Sequence, residues 1–136
     1  MKKYIEKAGF TLFELLIVIS IIGLLVAAAS VAYSGVQQRG RDARRKEDIQ
    51  AVQKALEMYY AKNVGYPEGC IPGDEFLPGG LPDDPKPETY DYSYVCDADT
   101  DTYCICAILE QAGTGNSNAG CVYASGGDYY CVANQQ

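Results

Sequence analysis

From Leu15 to Ala32 the chain reads LLIVISIIGLLVAAASVA, eighteen residues without a charge. As a helix rising about 1.5 Å per residue, this run is about 27 Å long, close to the hydrocarbon thickness of a bilayer. A segment of that kind cannot be hidden inside a small soluble domain. The 136 residues therefore leave room for one small body outside the membrane. Lys2, Lys3 and Lys7 precede the run against Glu6, and between Ala8 and Gln38 the single charge is Glu14. The positive-inside rule then places the N-terminus in the cytoplasm and the rest of the chain outside. Beyond Lys62, twelve acidic residues against Lys86 alone leave a charge of −11 on the last 74 residues. That sign, with −7 overall, is wrong for a surface that neutralises phosphates, so no direct nucleic-acid contact is expected.

The chain contains no His, which excludes Ser-His-Asp triads, Cys-His pairs and Cys₂His₂ zinc sites, and no enzymatic role is expected. All six cysteines (Cys70, Cys96, Cys104, Cys106, Cys121, Cys131) lie on the extracytoplasmic side. An even number there favours disulfides, and a small head domain gains from such staples. The close pair Cys104-Ile-Cys106 lacks the C-x-x-C spacing of a zinc site and puts both side chains on one face of a strand. Turn residues Ser125 to Asp128 favour Cys121 with Cys131 across a hairpin, and Cys70 is expected to tie a Pro-rich loop to Cys96, Cys104 or Cys106.

After the apolar run, Ile49, Val52, Leu56 and Tyr59, with Ala55 beside them, recur in helical steps of three and four and predict one buried stripe. Arg44 with Asp48 and Asp42 with Lys46 read as charge pairs on the solvent side. One helix from about Phe10 to about Lys62 would be roughly 80 Å long. Gly23, Gly35 and Gly40 are the places where it would bend or melt. All six prolines fall between Pro67 and Pro87 and predict an irregular loop. Tyr90 to Cys96 and Thr102 to Leu109 read as one hairpin. Cys121 to Ala124 and Asp128 to Val132 read as a second, around Ser125-Gly126-Gly127. The expected class is α+β: a long N-terminal helix, transmembrane in its first half, whose second half packs on three or four short antiparallel strands with disulfide-stapled loops.

Glu14 is the anomaly, because a carboxylate at the edge of a hydrocarbon segment costs about 2.5 to 3.5 kcal/mol. Its neighbours suggest no partner, and the plain alternative is snorkelling to the headgroups. The surrounding stretch KAGFTLFELLIVISIIG resembles the class III signal of type IV prepilins and type II secretion pseudopilins. That resemblance implies a pilin-like fold, a leader over 1–9 cut after Gly9 by a prepilin peptidase, and N-methylation of Phe10. It also implies a membrane and filament-core helix over 10–34, an amphipathic half over 35–62 and a β head over 63–136. Glu14 would be the residue used in assembly, paired with a neighbour's Phe10 amine. DIQAVQKALEMYYAKNVGYPE, with Tyr66-Pro67, resembles the helix end of the same proteins, and LPDDPKPETYDYSYV and YCICAILE resemble their following loop and strands. The helix-breaking proline of many type IV pilins is absent.

The implied role is a structural pilin or major pseudopilin: a single-pass inner-membrane protein before assembly, and afterwards a subunit of a periplasmic or extracellular helical homo-oligomer handled by pilus or type II secretion machinery. Two alternatives stand beside it, a minor tip pseudopilin with an adhesive or cargo-binding role and a monomeric binding module on an uncleaved anchor. Major pseudopilins also carry calcium in their C-terminal loops. Asp97, Asp99 and Asp101 form a D-x-D-x-D run suited to Ca²⁺, although the Gly and distal Glu of an EF-hand are missing and a solvated turn competes. The basic cluster Arg39, Arg41, Arg44, Arg45 and Lys46 is expected to face the acidic body of a neighbouring subunit, ahead of lipid or DNA.

Overall fold

Helix α1 runs from Leu12 to Asn63 without a break in the computed structural model, which describes residues 9–97 and 99–135. Apart from Gly9, the expected leader lies outside the described residues. Two compact units share α1, one over 1–36 and one over 37–136. In the first, the apolar side chains are bare: Phe13 is 70% exposed, Ile19 59% and Leu24 71%. The helix is long and apolar enough to cross a membrane. Gly23, Gly35 and Gly40 do not interrupt it, and a Cβ at any of them would meet nothing within 4 Å.

In the second unit the expected stripe is buried. Ile49, Val52 and Leu56 have no exposed surface and join Tyr92, Tyr103, Ile105, Ala107 and Val132 in one core. Tyr59 lies at its margin, edge-on to Phe76 at 5.4 Å between ring centres. The helix stops where Val64 turns left-handed at φ 56° and its N–H still reaches the Tyr60 carbonyl at 2.8 Å. A single 3₁₀ turn, Glu68–Cys70, then opens the Pro-rich stretch.

Five strands follow: β1 Tyr92–Asp97, β2 Thr102–Ile108, β3 Gly115–Ser117, β4 Tyr123–Gly127 and β5 Tyr129–Ala133. They form one antiparallel sheet in the order β1-β2-β5-β3-β4. The β1–β2 hairpin is as expected, with Tyr92 opposite Ala107 and Asp97 opposite Thr102. The second expected hairpin is not. β4 and β5 adjoin in sequence, but β3 lies between them, so the tight turn at Ser125-Gly126-Gly127 does not form.

Gly127 instead belongs to β4, where a side chain would collide with the Ser117 carbonyl; one at Gly115 would collide with that of Tyr129. The β3–β5 ladder is short, pairing Ser117 with Tyr129, and the β3–β4 register shifts between Gly115 and Ser117. The Asn116 side chain makes up the loss by accepting from the Cys131 N–H (2.8 Å) and donating to its carbonyl (2.9 Å).

Candidate functional site

The Gly9–Phe10 junction precedes the helix and is exposed, with Phe10 at 92%. Thr11 is the N-cap. Its hydroxyl accepts from the Glu14 N–H (3.2 Å), and the Glu14 carboxylate accepts from the Thr11 N–H and hydroxyl, both at 2.9 Å. This reciprocal capping box satisfies two backbone donors that the start of a helix leaves without partners. The expectation that Glu14 has no partner nearby is therefore corrected. Thr-x-x-Glu ahead of an apolar run is the sequence signature of this cap.

The second constellation lies where the buried stripe continues toward the N-terminus of the second unit, in ionic form. Asp42 and Arg45 stand seven and four residues before Ile49 and are as buried as the apolar residues that follow. The Arg45 guanidinium grips Asp84 with two parallel bonds (2.6 and 2.9 Å), reaches Asp42 at 2.8 Å and Glu110 at 3.0 Å, and lies 4.5 Å from the centre of the Tyr90 ring. Arg41 holds Glu110 in a second fork, both bonds 2.6 Å. Asp42 also accepts the N–H groups of Glu110 and Gln111, at 2.9 and 3.0 Å. The Arg41 fork, helped by Arg45 and opposed by burial, holds the Glu110 carboxyl down at about 2. Hydrogen bonding to Asp84 above all keeps Arg45 charged. Helix, Pro-rich loop and the segment after β2 are thus locked at one point.

The basic cluster is accordingly split. Arg41 and Arg45 are spent inside their own chain, on Glu110, Asp84 and Asp42, because the buried Arg45 and Glu110 are tolerable only when paired and hydrogen-bonded. Asp42 pairs with Arg45 inside and not with Lys46 on the surface, while Lys46 donates to the Thr114 carbonyl at 3.3 Å. Arg44 does approach Asp48, at 3.8 Å, with 70% of its side chain exposed, and Arg39 is exposed too.

A further carboxylate, Glu57, anchors the other end of the head. It accepts from the hydroxyls of Tyr103 (2.7 Å) and Tyr66 (3.0 Å) and from the Gln135 N–H (3.2 Å). Burial first, and this carboxylate second, push both phenols well above their ordinary range.

All six cysteines are bonded, as Cys70–Cys96, Cys104–Cys121 and Cys106–Cys131. Cys70 has taken one of its three expected partners. The favoured Cys121–Cys131 pair is absent, because β3 separates β4 from β5. Cys131 instead faces Cys106 directly across the β2–β5 ladder, with Cα atoms 4.1 Å apart. Tyr103, Ile105 and Ala107 point into the core, so the alternating Cys104 and Cys106 lie on the face turned away from α1.

Two aspartates of the D-x-D-x-D run, Asp97 and Asp101, serve different backbone partners. Asp97 accepts the N–H groups of Asp99 (2.9 Å) and Thr100 (3.3 Å), and its hydrogen bonds to Thr100 hold it below the usual carboxylate range. Asp101, at φ 53°, accepts from Tyr66 N–H at 2.9 Å. Among the described residues the grouping with metal-ligand spacing is Cys104, Cys106 and Cys121, all engaged in disulfides.

A family profile described as the prokaryotic N-terminal methylation motif matches residues 6–30. Over 67 residues the chain is 34% identical to type II secretion system core protein G of Vibrio cholerae, covering 49% of this chain and 46% of that protein. The corresponding protein of Pseudomonas aeruginosa is 34% identical over 62 residues, 46% of this chain and 44% of its own. That of Escherichia coli is 36% identical over 62 residues, 46% and 43%. The matched stretch thus spans less than half the length of these curated relatives. No solved structure matches.

Proposed function

We propose that this chain, which carries a prepilin-type methylation motif and is homologous to core protein G over about half its length, is a structural pseudopilin subunit. It enters the inner membrane as a prepilin with its N-terminus inside, is cut after Gly9 and methylated at Phe10, and polymerises through α1 into a helical filament served by type II secretion or pilus-type machinery. The match of the methylation motif to residues 6–30 carries this reading. The geometry supports it in two ways. The Gly9–Phe10 bond precedes the first helical turn and is exposed, as a peptidase requires. Cleavage then creates an α-amino group four residues from Glu14. A carboxylate and an amine from adjacent subunits, brought together in an apolar filament core, offset each other's desolvation, which neither can do alone. Thr11 holds Glu14 in its capping box until a neighbour's amine takes it over. The exposed Arg39 and Arg44 remain for the acidic heads of neighbours.

Intact mass spectrometry of the membrane fraction and of sheared filaments tests the reading. The mature protein is expected to begin at Phe10 with one added methyl group, and Glu14→Val is expected at normal membrane level without filaments. A mature chain retaining residues 1–9 refutes the pilin role and favours an uncleaved anchor. Filaments from Glu14→Val at wild-type yield refute the charge pairing.

A further inference from the structure

The two disulfides on the face of β2 turned away from α1 differ in access. Cys106 and Cys131 are buried, at 4% and 1% exposure, whereas Cys104 and Cys121 are partly exposed. Cys121 lies in a left-handed turn at φ 57°, between the exposed Gly120 and Val122, whereas Cys104 is flanked by the buried Tyr103 and Ile105, so Cys121 is the more open half of the bond. The two bonds are also close. Cys104 Sγ lies 3.7 Å from Cys106 Sγ, and the Sγ atoms of Cys104, Cys106 and Cys121 are all within 4.8 Å of one another. With every cysteine bonded, this approach is a contact between sulfurs and not a hydrogen bond.

We propose that Cys104 relays thiol–disulfide exchange from the accessible Cys104–Cys121 bond to the buried Cys106–Cys131 bond, with a small thiol as the external reactant. The proposal is independent of the filament reading. In the first step a thiolate RS⁻ attacks Cys121 Sγ. The R–S–S–Cys121 bond forms, the Cys104–Cys121 bond breaks, and the electron pair leaves on Cys104 Sγ. In the second step the Cys104 thiolate attacks Cys106 Sγ. The Cys104–Cys106 bond forms, the Cys106–Cys131 bond breaks, and Cys131 departs as a thiolate that takes a proton from water. The number of S–S bonds is unchanged, and no oxidant or reductant is consumed.

Two residues apart on a strand, Cα atoms are about 6.6 Å apart, at the long end of the roughly 4.4 to 6.8 Å that a disulfide spans. Cys104–Cys106 is therefore a reactive intermediate that returns to the native pairs when the external thiol leaves. The burial of Cys131 and its tether to Asn116 keep its sulfur close by for that return.

The test uses the full chain in detergent with reduced glutathione at pH 7.5, acid quenching, alkylation in denaturant, and peptide mapping. In the wild type, glutathione is expected on Cys121 together with an alkylated Cys131 and a peptide closed internally between Cys104 and Cys106. In Cys121→Ser, with no glutathione added, the single free thiol is expected to be shared between Cys104 and Cys131. In the double variant Cys104→Ser, Cys121→Ser, alkylation of Cys131 after glutathione treatment is expected to fall at least tenfold. Near-ultraviolet circular dichroism confirms that each variant is folded before it is scored. A thiol confined to Cys104 in folded Cys121→Ser overturns the relay. If that variant does not fold, the wild-type time course decides, and glutathione on Cys121 with Cys131 never alkylated overturns it equally.

Discussion

Glu110→Gln is the substitution that most directly weighs the ionic lock. The variant keeps the shape of the side chain and removes the charge that Arg41 and Arg45 share. Their grip, the Arg41 fork foremost, holds the Glu110 carboxyl at about 2 against an ordinary 4.5. At about 1.4 kcal/mol per pH unit, that displacement corresponds to roughly 3 kcal/mol of stability. The Glu110 side chain is only 6% exposed, but Arg41 is 29% exposed, so water screens part of the pair and about 2 to 3 kcal/mol is the expected effect.

The sign follows from linkage. A carboxyl whose folded pKa is depressed adds stability that is fully present above its unfolded pKa, and that stability is lost as pH falls from about 5 toward 2. Urea unfolding of both proteins in detergent, followed by tyrosine circular dichroism, should show Glu110→Gln weaker by about 2 to 3 kcal/mol at pH 7. The gap should close progressively between pH 5 and pH 2. Carboxylates outside the Arg41–Arg45 network are common to both proteins and cancel in the difference. A gap that stays constant from pH 7 to pH 2 would show that the variant acts through packing and not through charge, and the reasoning would fail.

Arg45→Ala leaves Asp42 and Asp84 without their counter-charge in a dry site, with Glu110 held by Arg41 alone, and is expected to cost about 3 to 5 kcal/mol. Arg45→Lys should recover less than half of that, since an ammonium cannot reproduce the fork; the urea midpoints of the three proteins decide, and an Arg45→Ala loss below about 1 kcal/mol would refute the buried network. Gly127→Ala drives a methyl into the Ser117 carbonyl and should melt β4 away from β3. Hydrogen exchange should then show lost protection over 115–127 with β1–β2 intact, and unchanged protection in β3 would be the contrary result.

The long helix, its apolar first half and the stripe from Ile49 to Leu56 were legible because each depends on periodicity along one segment. The same periodicity extended to Arg45 and Asp42, but hydropathy assigns charged residues to solvent, and their partners Asp84 and Glu110 are some forty and sixty-five residues away. The Thr11–Glu14 cap follows from the Thr-x-x-Glu spacing alone. The β1–β2 hairpin followed from alternation. The β4–β5 hairpin was misleading because Gly126 and Gly127 look like turn residues, whereas Gly127 is needed where two backbones approach too closely for a side chain. Cysteine pairing inherited that error, since the partner of Cys131 is set by a strand that sequence adjacency does not reveal.

The place of β5 has a consequence for how the head comes into being. It follows the four other strands in sequence, yet it is the one that joins β2 to β3. Until it arrives, β1–β2 and β3–β4 are two separate ribbons, each with an unpaired edge. Strand β5 thus acts as a closing bolt, and the nascent head stays open, with its strand edges exposed to quality control, until β5 has been made.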